Sequence, residues 1–245
     1  MIDGADIELV AQAHEFLRAP REGFEDPNDP STVQAMQIAL NVPKQELPSR
    51  TALLEAAGSA VALVCLDPRA ISDPSWHRGL ENWYGHRIRK IARRGRNKPW
   101  RDVQGLPGVT ATVGSAEARA FVPSAVADVP TAIGKLQIAG TDLDYDEPGE
   151  IDPTIPTVYV DKSLGMSAGK AAAQVGHGSM LLAASLNRET AIEWFLEGCP
   201  LQVREVEHAI IEQVSNVPGA VAVRDAGFTE VAPNSLTVVA TPARR

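Results

Sequence analysis

The chain has 245 residues, 44% apolar and 22% charged, enough for one large domain or two of ordinary size around a core that needs no disulfide or metal. Its two cysteines, Cys65 and Cys199, lie in no Cys-x-x-Cys pair, which excludes a zinc cluster and a disulfide framework and leaves two packed thiols as the expectation. The net charge of −8 argues against a polyanionic partner only until it is divided: residues 141–152 hold six acids and no base, 153–245 seven bases against nine acids, and 1–140 sixteen of each.

In chain order, residues 5–18 place Ile7, Val10 and Leu17 near helical spacing. The acids Asp3, Asp6, Glu8 and Glu15 stand where a signal peptide would need bases and an apolar run. No apolar stretch reaches the ~18 residues of a membrane span, so a cytoplasmic protein with no membrane partner is expected. Residues 19–31, rich in Pro, Asp and Glu, read as a loop. Two short helices are predicted at 31–42 and 49–58, and the continuous apolar run Ala60–Leu66 as a buried strand. Asp73-Pro74 opens a predicted helix over 75–94. Residues 86–101 then carry eight Lys/Arg and no acid, a concentrated basic stripe. Pro107-Gly108 marks a turn, followed by two strands around Gly114-Ser115.

The acidic segment 141–152, with Pro148-Gly149, reads as a linker between domains 1–140 and 153–245. Beyond it the order is βααβαββ: strands at 157–160, 201–206, 220–224 and 235–240, helices at 168–186, 190–198 and 208–215. The predicted fold class is α/β, with a C-terminal three-layer α/β/α domain on a four-stranded mixed sheet and an N-terminal α+β or α/β domain. Residues 107–124 lie over 218–234 with one gap, so the N-terminal part reads either as a diverged partial repeat or as a chance similarity of two turn-and-strand segments.

Two segments carry chemistry. In 164–178, LGMSAGKAAAQVGHG, Lys170 and Gln174 are four apart and share a helix face with His177. A lysine in a first helical turn opposes the dipole, and with the turn's amides it makes a positive site for a phosphate or an oxyanion. In 224–237, RDAGFTEVAPNSLT, Asp225 follows a strand, where it can accept a proton from water or orient it, and Thr229 and Thr237 can donate hydroxyls. His177 reads as a packed helix histidine rather than a base.

Taken together, the two segments resemble the type 2 peptidyl-tRNA hydrolases, at Leu164, Met166, Gly169, Lys170, Ala172, Ala173, Gln174 and His177, and at Asp225, Ala226, Gly227, Thr229, Val231, Ala232, Pro233, Ser235 and Thr237. The resemblance implies hydrolysis of the ester between peptide and tRNA, with no cofactor and no metal. Asp225 would handle the water and Lys170 the developing charge, with Gln174, Thr229 and Thr237 positioning; the roles of Lys170 and Asp225 can be exchanged. Where the family has further lysines this chain has Gly165 and Ala168, and Lys162 replaces one lost basic contact. The basic stripe, through Arg87, Arg89, Lys90, Arg93, Arg94 and Arg96, would supply others, with Trp83, Tyr84 and Trp100 stacking on bases. If the first copy is real it lacks the chemistry, with Gly114 standing where Asp225 stands and Ala118 where Thr229 stands. Family members commonly pair, so either a homodimer or a monomer with an intramolecular pseudo-dimer is expected. A non-catalytic module that retains the fold and binds RNA or another ligand, and a hydrolase of some other acyl compound, are the alternatives.

Overall fold

The computed structural model describes residues 4–227 and 230–244. The first half contains α1 (Gly4–Arg18), β1 (Gln34–Asn41), α2 (Arg50–Leu66), α3 (Arg69–Ser72), α4 (Pro74–Tyr84), β2 (Arg89–Gly95), α5 (Asn97–Asp102), β3 (Gly108–Val113), β4 (Ala116–Phe121), the short β5 (Ser124–Ala125) and α6 (Thr131–Gly134). The second half contains β6 (Thr157–Asp161), α7 (Ala168–Ser185), α8 (Arg188–Leu196), β7 (Gln202–Val206), α9 (His208–Val214), β8 (Val221–Arg224) and β9 (Leu236–Thr241).

In the second half every predicted element appears in its predicted place. The sheet runs β7-β6-β9-β8, with β6 parallel to β7 and antiparallel to β9, and β8 antiparallel to β9. Helix α7 lies along one face, and on the other Ile211 of α9 packs against Leu236 and Val239. This is the expected three-layer α/β/α arrangement on a mixed four-stranded sheet. The first half repeats that topology: its sheet runs β2-β1-β4-β3 with the same pairing directions, and β5 adds a short pairing to β1.

Three sequence expectations for the first half are corrected. Residues 34–41 form a strand, not part of a helix over 31–42. This strand is central: Met36, Ile38 and Leu40 enter the main core, while Ala39 enters a second cluster with Trp100 and Phe121. Burial on both faces removes the alternation that would have marked a strand. The helix at 49–58 and the strand at 60–66 are one helix, α2, buried nearly all round. A continuous apolar run of this length does not distinguish a buried helix from a buried strand. The helix predicted over 75–94 stops at Tyr84 with Gly85 at its C-cap, and the basic residues beyond form the edge strand β2. Charged side chains are a common protection for such an edge.

Residues 141–152 contain neither helix nor strand, yet Asp146 accepts from the Thr51 hydroxyl (2.7 Å) and amide (3.0 Å) and from the Ser49 hydroxyl. Helices α2 and α7 pack on each other between the two sheets. Glycines allow the approach: a Cβ on Gly58 would lie 2.9 Å from Val175 Cγ1, and one on Gly176 would lie 2.8 Å from Val61 Cγ2. At the crossing the Ser179 hydroxyl donates to the Gly58 carbonyl at 2.8 Å. Nearby, Arg50 makes a two-pronged buried ion pair with Glu205 (2.8 and 2.9 Å) and donates to the Met166 carbonyl (2.8 Å). Cys65 and Cys199 are buried free thiols. No described helix is long and apolar enough to cross a membrane.

Candidate active site

The site is assembled at the start of α7 and the end of β8. Ser167 caps α7 by accepting from the Lys170 amide at 3.1 Å, and its own amide and hydroxyl donate to Glu230 at 2.8 and 2.7 Å. The cap fixes where the helix begins and so places Lys170 in the first turn and Gln174 one turn on, on the same face. Across from them, Asp225 follows β8 directly. Its amide donates to the Ser235 carbonyl (2.9 Å) and its carbonyl accepts from the Asn234 amide (2.7 Å), which prolongs the pairing past a bulge at Val223/Arg224. The Gly227 amide donates to Asp225 Oδ1 at 2.7 Å, a side-chain-to-backbone turn. Gly227 has φ +78°, and a Cβ there would lie 2.5 Å from the Pro233 nitrogen, so this tight return admits only glycine.

The side chains of the two segments meet. Lys170 Nζ lies 2.5 Å from Asp225 Oδ2, and Gln174 Nε2 donates to the same oxygen at 2.6 Å. The Thr237 hydroxyl donates to Gln174 Oε1 at 2.7 Å, which fixes the amide with its nitrogen toward the carboxylate. Thr237 is fully buried, whereas the Lys170 and Asp225 side chains retain 12% and 11% exposure, enough to meet a substrate from one side. Thr229 lies outside the described residues.

This cluster opens on a cavity of about 610 Å³. Lys170, Gln174, His177, Asp225 and Glu230 line one wall; the opposite wall comes from the first half, residues 87–92 and Ile138, of which the sequence had singled out only the basic Arg87, Arg89 and Lys90. His177 is therefore a wall residue rather than a fully packed one. Burial, then the neighbouring Lys90 and Lys170, push its pKa well below the ordinary imidazole value, so it is neutral near pH 7.

The basic stripe is divided rather than presented as one helix face. Arg87, Arg89 and Lys90 line the cavity. Arg89 also pairs with Glu25 (2.5 Å). Lys90 Nζ lies 4.7 Å from the centre of the Trp83 ring, and burial lowers its pKa to about 7 although the residue keeps some surface in the cavity. Arg93 donates to Gln37 (2.8 Å), Arg94 donates to the Gly140 carbonyl (2.7 Å), and Arg96 stands at the N-cap of α5. Lys162 is exposed, its Nζ 4.9 Å from the centre of the Tyr145 ring. Trp83 and Trp100 are buried and cannot stack on bases as expected; Tyr84 is partly buried, with its ring against Phe16.

A family profile described as Peptidyl-tRNA hydrolase PTH2 matches residues 156–245. The peptidyl-tRNA hydrolase of Thermoplasma acidophilum is 32% identical over 91 residues, covering 34% of this chain and 78% of that protein. The profile match falls on the half that holds Lys170, Gln174, Asp225 and Thr237. Through this C-terminal half, the chain belongs to the peptidyl-tRNA hydrolase family PTH2.

Proposed function

We propose that the chain hydrolyses the ester between a peptide, or an N-blocked amino acid, and tRNA in the cytoplasm, with residues 153–245 as the catalytic domain. The observation that carries this reading is the convergence of Lys170 and Gln174 on one oxygen of Asp225 at the wall of a substrate-sized cavity. An ionised carboxylate has about four lone-pair sites, and three here are taken by Lys170, Gln174 and the Gly227 amide. The remaining site would hold water beside the ester carbonyl. Water attacks that carbon, its proton passes to Asp225, and the tetrahedral oxyanion lies against the ammonium of Lys170. The carbon–oxygen bond then breaks and the terminal ribose oxygen leaves as a hydroxyl, taking the proton back. No covalent enzyme intermediate is needed.

In the same reading residues 1–140 are a diverged, non-catalytic copy, joined through 141–152, and the chain is a single-polypeptide pseudo-dimer. Supporting this are the identical strand orders and the caps of the two facing helices: Ser49 caps α2 through the Ala52 amide as Ser167 caps α7 through Lys170. Counting from the caps, Ala52 and Ala56 stand where Lys170 and Gln174 stand. Arg87, Arg89 and Lys90 at the cavity, with Arg93, Arg94, Arg96 and Lys162 beyond, are the candidate tRNA contacts.

The test is release of N-acetyl-amino acid from N-acetyl-aminoacyl-tRNA, compared with a simple ester, by wild type and by Asp225→Ala. The expected outcome is turnover of the tRNA ester and a fall of about 10²–10³ in the folded variant, as for loss of one comparable transition-state contact. Turnover of the simple ester alone would favour another acyl substrate. Binding of the tRNA without turnover would favour a non-catalytic module.

A further inference from the structure

We propose that the free edge of β2 is a docking strand for the peptide part of the substrate, which pairs with it in extended form through main-chain hydrogen bonds. This rests on the peptidyl-ester reading of the site.

The cavity meets β2 edge-on. Six consecutive residues, 87–92, line it. Four of them, 89–92, belong to β2, where successive side chains point to opposite faces, so a cavity that touches all four includes the edge between the faces. The direction of the edge groups follows from Arg94. Its amide donates to the Gln137 carbonyl at 2.7 Å and its carbonyl accepts from the Gln137 amide at 3.3 Å, both on the side away from β1. Main-chain groups alternate sides along a strand, so the amides and carbonyls of Lys90 and Ala92 point the same way, toward the cavity. Among the described residues none of these four groups has a hydrogen-bond partner off the ladder. Past Ala92 the edge is closed by Gln137.

The equivalent edge in the other half is blocked at one amide. Strand β7 holds the position in its sheet that β2 holds in the first, and Glu55 of α2 accepts from the Val203 amide at 3.0 Å. Burial raises the Glu55 pKa. One edge of the pseudo-symmetric pair is thus plugged at one amide by a side chain, while the other faces the cavity that contains Lys170 and Asp225. The occupant follows from chemistry. A peptide attached to tRNA has no fixed sequence, and main-chain pairing recognises a peptide whatever its side chains. The side walls offer apolar contact through Ile88, Ile91, Ile138 and Ala173.

The experiment uses the full chain and non-hydrolysable ligands, 3′-amino-3′-deoxyadenosine acylated with N-acetyl-alanine or with N-acetyl-trialanine, with binding measured by calorimetry. Two or more added main-chain bonds predict about tenfold tighter binding of the longer ligand. N-methylation of successive amides in the longer ligand should remove that gain at alternate positions only, as strand pairing requires. Equal affinity for the two ligands, no binding of either, or the same effect of N-methylation at every amide would overturn the proposal. Turnover of N-acetyl-aminoacyl-tRNA is followed in parallel. Alternating binding losses without turnover would leave the edge standing and remove the hydrolase reading; turnover with flat binding would remove the edge alone.

Discussion

Single residues in this chain have roles set by what their neighbours do to their charge. Asp161 is fully buried at the end of β6 and accepts from its own turn through Ser163, and His208 Nδ1 lies 2.5 Å from its second oxygen. Hydrogen bonding to Asp161 raises the His208 pKa above 6.5. A raised imidazole value means the folded state binds the proton more tightly. The contribution is therefore fully present below pH 6.5 and is lost as pH rises through the raised value. The melting temperature of wild type minus that of His208→Ala should be positive at pH 5.5 and shrink by pH 9; a difference independent of pH would show that the pair contributes nothing through charge. This pair leaves no local signal in the sequence, because its two members lie 47 residues apart on different elements. Lys170, Gln174 and Asp225 were legible because two motifs set their types and spacings, and the capped helix turned that spacing into one face.

At the scale of elements the second half was readable throughout and the first half was not. Helix α7 begins at a capping serine and β6 is bounded by a proline and an Asp turn, so local signals agree with the fold. Helix α2 lies between a sheet and α7, and burial on all sides left no polar face to mark its period. Strand β2 was hidden differently: its charges suit an exposed helix face as well as a sheet edge. Arg50 at the head of α2 joins these elements. Its guanidinium and Glu205 on β7 are 3% and 8% exposed, so removing one leaves the other charge buried without its partner. Arg50→Ala should lower unfolding free energy by about 3–5 kcal/mol in a denaturant titration. A loss typical of surface pairs, about 0–1 kcal/mol, would mean that the interface between the halves does not depend on this pair.

For the molecule as a whole, one continuous core runs through both halves, from Met36 and Ile38 of the first sheet, through α2 and α7, to Val158 and Val160 of the second. The face of α7 that looks toward the first half is covered by α2. The full chain is therefore predicted to be monomeric, with a mass near 26.2 kDa by light scattering; a stable mass of twice that value would contradict the single-chain pseudo-dimer. The sequence pairing of 107–124 with 218–234 matches the structure only at its first strand: 107–124 spans β3 and β4, whereas 218–234 spans β8 and stops before β9, so Ala118, on β4, does not stand where Thr229 stands. The first half, with Ala52 and Ala56 at the cap-relative positions of Lys170 and Gln174, contributes residues 87–92 and Ile138 to the cavity wall.

The most direct test of the proposed catalytic role of this cluster is a double-mutant cycle on turnover of N-acetyl-aminoacyl-tRNA with Lys170→Met, Asp225→Asn and the pair. Groups that act as one unit are non-additive. Each single variant should lose about 10²–10³ in kcat, and the double variant should fall within about tenfold of the worse single one. Losses that multiply, or a single variant that keeps the full rate, would contradict a shared site.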